Sequence, residues 1–146
     1  MLLITELYLW MKYLIDTQAL AYYLYAGKQL PQTVKEFIDD YVNIGYVSVV
    51  SLHEMVVKSA KKQVIVPEPI TKVIPHIEEA NLEIIPVNFQ HIIRLETLER
   101  KPIHKDPFDR LLIAQCIEER LTFITSDSKV TLYEKYGLDY IQYELN

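Results

Sequence analysis

The chain has 146 residues, half of them hydrophobic, which suits one domain with a buried core rather than two small ones. Its net charge of -5 excludes attraction of nucleic acid by the molecule as a whole, so any such contact has to come from a local basic patch or from cations held in an acidic pocket. The one cysteine, Cys116, excludes an internal disulfide framework. Its setting in Leu111-Leu112-Ile113-Ala114-Gln115-Cys116 predicts a buried thiol, consistent with a reducing cytoplasm.

Residues 1–10 are mostly apolar but contain Glu6, lack an early basic region and are too short to span a bilayer, so they read as an N-terminal extension with no signal peptide or membrane role. Met11 is a second plausible start, and 11–146 is expected to form one domain. Lys12 to Ile15 predicts a strand and Thr17 to Tyr25 a helix broken at Gly27. Pro31 starts a second helix through about Tyr41. Gly45 leads into a β-rich run from Tyr46 to Val50, with a helix from Ser51 that puts Glu54 in its first turn. Pro67 and Pro69 precede a helix ending near Glu79. Leu82 to Val87 predicts a strand, and Asn88 or a neighbour caps the next helix. Asp106-Pro107-Phe108-Asp109 opens a helix ending near Arg120. The strand Leu121 to Thr125, a helix after Ser126-Asp127 and a strand from Asp139 to Tyr143 complete the chain. Alternating strands and helices predict an α/β fold with helices on both faces of one sheet.

Asp16, Glu54, Asp109 and Asp127 fall where strands give way to helices or where a helix that feeds a strand begins. In a parallel α/β sheet these junctions share one edge, so the four carboxylates should meet in one crevice. Capping competes at each position, because Asp and Glu favour helix first turns. Ser51-Leu52-His53-Glu54 has the capping-box pattern, Asp106-Pro107 reads as an N-cap, and Asp16 and Asp127 could also cap. Capping alone would still gather the acids. Two unit charges about 4 Å apart repel by roughly 4 kcal/mol at an effective dielectric near 20, so protonation or a cation must compensate. Oxygen donors without paired Cys or His suit Mg²⁺ or Mn²⁺, ions that also take phosphate oxygens.

The stretch from His104 through Asp106-Pro107-Phe108-Asp109-Arg110 to Gln115 carries a family resemblance. So do Thr125-Ser126-Asp127, Tyr13-Leu14-Ile15-Asp16-Thr17 and Ser51-x-x-Glu54-x-x-x-Lys58. Over Met11 to about Ile141 the chain resembles the PIN domain, and within it the small VapC-like toxins of toxin–antitoxin modules. The resemblance implies a three-layer α/β/α fold with a five-stranded parallel sheet in order 3-2-1-4-5. It also implies a metal-dependent endoribonuclease whose Mg²⁺ or Mn²⁺ is held by Asp16, Glu54, Asp109 and Asp127. Asp106 would be an accessory acid, and Thr17, Thr125 and Ser126 polar supports. It further implies an antitoxin partner and a homodimer. Related sequences often carry histidine where this chain has Gln18.

Candidate RNA contacts are Lys58, Lys61 and Lys62, with Arg100, Lys101 and Lys105, although lysines on helix faces are commonly just solvated. Arg110 reads instead as a support for the fold or the site. The eleven tyrosines, Tyr22, Tyr23 and Tyr25 among them, are expected to pack rather than stack bases. His53 and His104 read as surface or hydrogen-bonding residues rather than ligands. Apolar positions along 17–25 and 31–41 exceed a core-facing stripe and predict an exposed groove for a partner helix. Two rivals remain: a catalytically silent RNA- or protein-binding module of the same fold, and a receiver-like phosphoacceptor domain.

Overall fold

A computed structural model describes residues 10–61, 63, 66–99 and 104–145. The expected extension apart from the exposed Trp10, and the candidate contacts Lys62, Arg100 and Lys101, lie outside the described residues. The strands are β1 (Lys12–Ile15), β2 (Ile44–Ser48), β3 (Glu83–Ile85), β4 (Thr122–Thr125) and β5 (Tyr140–Gln142). They form one parallel sheet in the order β3-β2-β1-β4-β5. β1 is central, and the chain winds outward from it in both directions, through β2 on one side and β4 on the other. Such a reversal opens a crevice beyond the carboxyl ends of the two strands that flank it. A receiver-like domain orders its strands 2-1-3-4-5, so the observed order excludes that rival.

Strand residues alternate between two cores. On one face Tyr13, Ile15, Val47, Ile124 and Ile141 pack with residues of α1 (Thr17–Tyr25), α2 (Gln32–Asp39) and α4 (Ile70–Glu79). On the other, Leu14, Phe123 and Tyr140 pack with α6 (Pro107–Glu119), with Leu95 of α5 (Phe89–Thr97) and with the 3-10 segment Ser128–Tyr136. α3 (Val49–Ala60) serves both, giving Met55 to the first core and Val50 to the second. The result is a three-layer α/β/α arrangement whose middle strand β1 is buried on both faces from Tyr13 to Ile15. Gly45 in β2 is required by close approach, because a Cβ there would overlap the Tyr13 ring and the Leu82 side chain.

Several boundaries differ from expectation, each for a local reason. α3 begins at Val49, two residues before Ser51. The Ser48 hydroxyl accepts from the Val50 N–H at 3.0 Å and donates to Gln115 Oε1 at 2.5 Å, so an interaction with α6 sets the cap and overrides the β preference of two valines. Glu54 therefore sits in the second turn, and the expected capping box does not form. α2 stops at Asp39, where Asp40 accepts from the Val42 N–H and turns the chain before Tyr41. The strands expected over Leu82–Val87 and Asp139–Tyr143 shorten to Glu83–Ile85 and Tyr140–Gln142. The segment after Asp127 is 3-10 rather than α, and α6 ends at Glu119 with Arg120 in the left-handed region at φ 56°. Asn88 does cap α5, with His91 closing a reciprocal pair.

Along 17–25 and 31–41, where a groove is expected, Ala19, Leu20, Val34, Phe37 and Ile38 are buried, Tyr22, Tyr23, Leu24 and Tyr25 are half-buried, and Tyr41 is exposed; Val42 and, on α5, Phe89, Ile92 and Ile93 are among the other exposed apolar side chains. Cys116 is buried, as expected. No helix among the described residues is long and apolar enough to cross a membrane.

Candidate functional site

At the crevice beyond β1 and β4 lies a cleft of about 340 Å³ lined by Asp16, Thr17, Gln18, Glu54, Lys58, Asp106, Asp109, Ser126 and Asp127, among others. All four carboxylates singled out from the sequence face it, together with Asp106. Asp16 follows β1, Glu54 comes from α3, Asp109 from the first turn of α6, and Asp127 follows β4. The sheet order thus joins residues separated by more than a hundred positions, as the hydrogen bond between Thr125 and Asp16 shows.

Capping explains only part of this set. Asp16 Oδ1 accepts from the Thr17 N–H at 2.7 Å and so caps α1, while Oδ2 accepts from the Thr125 hydroxyl at 2.7 Å. Asp127 Oδ1 accepts from the Lys129 N–H at 2.9 Å, while its Oδ2 turns toward His104. At α6 the cap is Asp106, whose Oδ1 accepts from the Phe108 and Asp109 N–H groups. Asp109 is therefore free of capping duty. Glu54 caps nothing: it is buried, Oε2 accepts from Lys58 Nζ one turn along α3, and Oε1 has no hydrogen-bond partner among the described residues.

The electrostatics match this crowding. Burial, with opposition from the Thr125 and Thr17 hydrogen bonds and support from Glu54 and Asp127, raises the Asp16 carboxyl to about 6. Burial and then the charges of Asp16, Asp106, Glu54 and Asp127 push Asp109 to about 8. Burial works against the charge on Lys58, but its bond to Glu54 and the neighbouring carboxylates outweigh this and raise its pKa. Carboxyls whose ionisation is opposed first by burial and then by neighbouring charges mark a cleft that favours positive charge. An orphaned buried Glu54 oxygen, several hard oxygen donors and raised carboxyl pKa values fit a divalent cation.

The polar supports form a second layer. The Thr17 hydroxyl donates to Ser51 at 2.9 Å, the Ser126 hydroxyl donates to Gln18 Oε1 at 3.1 Å, and the Asp127 N–H donates to the Thr125 hydroxyl at 3.1 Å. Thr125 thus ties the acid after β1 to the acid after β4. Gln18, where related sequences often have histidine, remains a cleft residue. Among the expected RNA contacts, Lys58 is a partner of Glu54 inside the cleft, whereas Lys61 and Lys105 are exposed. Arg110 is buried and donates to the Leu98 and Glu99 carbonyls and the Tyr133 hydroxyl. Tyr23 and Tyr25 donate to Asp39 and Glu68 rather than lying free, while Tyr22 borders the cleft.

His53 is exposed, edge-on to Phe108, as expected. His104 is the hydrogen-bonding alternative of that expectation rather than the surface one: it is buried, its Nδ1 bonded to the Tyr133 hydroxyl, with Nε2 3.4 Å from Asp127 Oδ2 and 3.6 Å from Asp109 Oδ2. Burial lowers its pKa against the pull of Asp127. Sequence spacing offered no signal for this position, because the Tyr133 hydroxyl that holds its ring is 29 residues away and is brought near only by packing.

A parallel α/β sheet with acids gathered beyond its carboxyl edge defines an acidic-cleft α/β protein. The family model described as PIN domain matches residues 13–137, and the chain belongs to that family. No curated protein matches the sequence. Solved structures share the fold at low identity. VapBC2 from Rickettsia felis, bound to a DNA fragment from its promoter, has 17% identity and a TM-score of 0.65, covering 92% of this chain and 100% of its own. DNA-bound VapBC from Salmonella typhimurium has 17% identity and a TM-score of 0.65, covering 90% and 98%. VapBC-5 from Mycobacterium tuberculosis, a member of the VapBC family of toxin-antitoxin systems, has 17% identity and a TM-score of 0.55, covering 91% and 99%.

Proposed function

We propose that this chain is a metal-dependent endoribonuclease that hydrolyses RNA phosphodiester bonds, and that it is the toxin of a toxin–antitoxin pair. The observation that carries this reading is the convergence of Asp16, Glu54, Asp109 and Asp127 on one cleft with a buried Glu54 oxygen left unpartnered. Those four residues would hold Mg²⁺ or Mn²⁺. When bound, such an ion supplies Lewis-acid activation of water and neutralises charge on the phosphate. The chain's own residues supply rigidity: the Thr17 N–H and the Thr125 hydroxyl fix both oxygens of Asp16, Lys58 holds Glu54, and Asp106 anchors the helix that presents Asp109. Lys61 and Lys105, both exposed, are the described candidates for phosphate contact.

The family membership and the likeness to VapBC structures support a toxin reading, with an antitoxin protein and a homodimer as partners in the cytoplasm. One domain over 11–146, preceded by the short extension, belongs to the same proposal. Gel filtration with and without the product of a neighbouring gene tests the assembly.

Cleavage of single-stranded RNA with Mg²⁺ or Mn²⁺, and its loss on chelation, tests the activity. Hydrolysis by water leaves 3′-hydroxyl and 5′-phosphate ends, and finding 2′,3′-cyclic phosphate ends would refute the mechanism. Asn replaces Asp as a cap at little cost but carries no charge. Asp16→Asn and Asp109→Asn should therefore remain folded by circular dichroism yet lose cleavage by on the order of a hundredfold or more. Unchanged activity per folded molecule would leave the acids as caps and side-chain supports only.

A further inference from the structure

His104 is a buried imidazole beside two acids of the cleft, Asp109 and Asp127, that the four-acid centre leaves without a role. It is 2% exposed, and among the described residues its Nε2 has no hydrogen-bond partner. Nε2 points between Asp127 Oδ2 at 3.4 Å and Asp109 Oδ2 at 3.6 Å, and a ligand atom from each of these three residues lies within 4.8 Å of the other two. These separations exceed those of good hydrogen bonds. They suit atoms that share one ion at bond lengths of about 2.1 Å.

The other side of the ring is anchored. Nδ1 lies 2.5 Å from the Tyr133 hydroxyl, which also accepts from Arg110 at 3.3 Å. Arg110 is in turn fixed by the Leu98 and Glu99 carbonyls. A hydroxyl oxygen has two lone pairs, so it can accept from both Arg110 and an Nδ1–H. Imidazoles that bind metal are held in this way: one nitrogen donates to an outer partner and the lone pair of the other faces the ion.

We propose that His104, through Nε2, joins Asp109 and Asp127 as a ligand, making the centre a mixed nitrogen–oxygen site that selects Mn²⁺ over Mg²⁺. This rests on the reading of the cleft as a metal centre and adds to it a ligand and a preference. Mg²⁺ favours oxygen donors and retains its water, whereas a transition ion gains from an imidazole.

Pulsed electron paramagnetic resonance of the Mn²⁺-loaded full chain tests this without an activity measurement. Directly coordinated imidazole imposes nitrogen modulation on the Mn²⁺ signal, and histidine labelled with nitrogen-15 should change it. The modulation should vanish in His104→Gln and persist in His53→Gln. By calorimetry, His104→Gln should weaken Mn²⁺ binding about tenfold or more, with a much smaller change for Mg²⁺. Because the wild-type spectrum decides alone, a poorly folded variant does not rescue the idea. Mn²⁺ bound without imidazole modulation, or modulation that survives His104→Gln, overturns the ligand assignment while leaving the metal centre standing. Failure of the wild-type chain to bind Mn²⁺ overturns both.

Discussion

Asp16 and Asp127 divide their two oxygens between architecture and chemistry. One oxygen of Asp16 and one of Asp127 secure a backbone N–H, and the other of each faces a side chain across the crevice. Asp109 has no capping duty, because Asp106 already accepts from its N–H. Its charge is therefore a burden to the metal-free fold. Asp109→Asn should raise the denaturation midpoint of the metal-free protein at pH 9, where the wild-type carboxyl, raised to about 8, is ionised. The gain should be on the order of 1–3 kcal/mol, discounted because the side chain is partly solvated, and should shrink at pH 5, where both forms are neutral. Urea titrations at the two pH values measure it; an equal effect at both would remove charge as the cause.

At the scale of elements, helix starts carry the site, and two of them are set by different logic. α6 starts where local chemistry says it should: Asp106 accepts from two backbone N–H groups and Pro107 occupies the first turn without losing a needed donor. Asp106→Ala should cost about 1 kcal/mol, the usual worth of an N-cap, while Asp106→Asn should cost only a few tenths. Thermal denaturation of the two variants with chelator present separates the cap from any metal effect, and equal losses would deny the capping role. α3 starts where tertiary contact dictates, since Ser48 is drawn to Gln115 of α6. Moving the start from Ser51 to Val49 carries Ser51 into a bond with Thr17 and Glu54 into the buried cleft wall.

For the whole molecule, the sheet order is what turns scattered acids into one charged crevice, and the consequence is a stability that depends on pH. Asp16 and Asp109 have folded-state pKa values near 6 and 8, above the ordinary 3.8. Between about 4 and 8 the folded chain keeps protons that the unfolded chain has released, so metal-free stability falls as pH rises through that window. The midpoint of thermal unfolding with chelator should drop by on the order of 5 °C from pH 5 to pH 8. Saturating Mn²⁺ should shrink or reverse the drop, because the ion competes with protons for the same oxygens. A metal-free profile that rises with pH would contradict the burial and crowding of these carboxyls.

Alternating apolar and helical segments, the Asp106-Pro107 cap, the buried Cys116 and the acids after β1 and β4 are local or periodic features, and the amino-acid sequence by itself determined them. The family motifs carried the strand order and the four acids as well. Only the tertiary structure decided that α3 begins at Val49 behind a Ser48 cap, that Lys58 turns inward to Glu54 and that Ala19, Leu20, Val34, Phe37 and Ile38 are spent on the core. It also decided that His104 lies buried against Asp109 and Asp127. The physical reason is common to these cases: each depends on a partner far along the chain, and neither propensity nor spacing encodes which distant side chain will satisfy a buried polar atom.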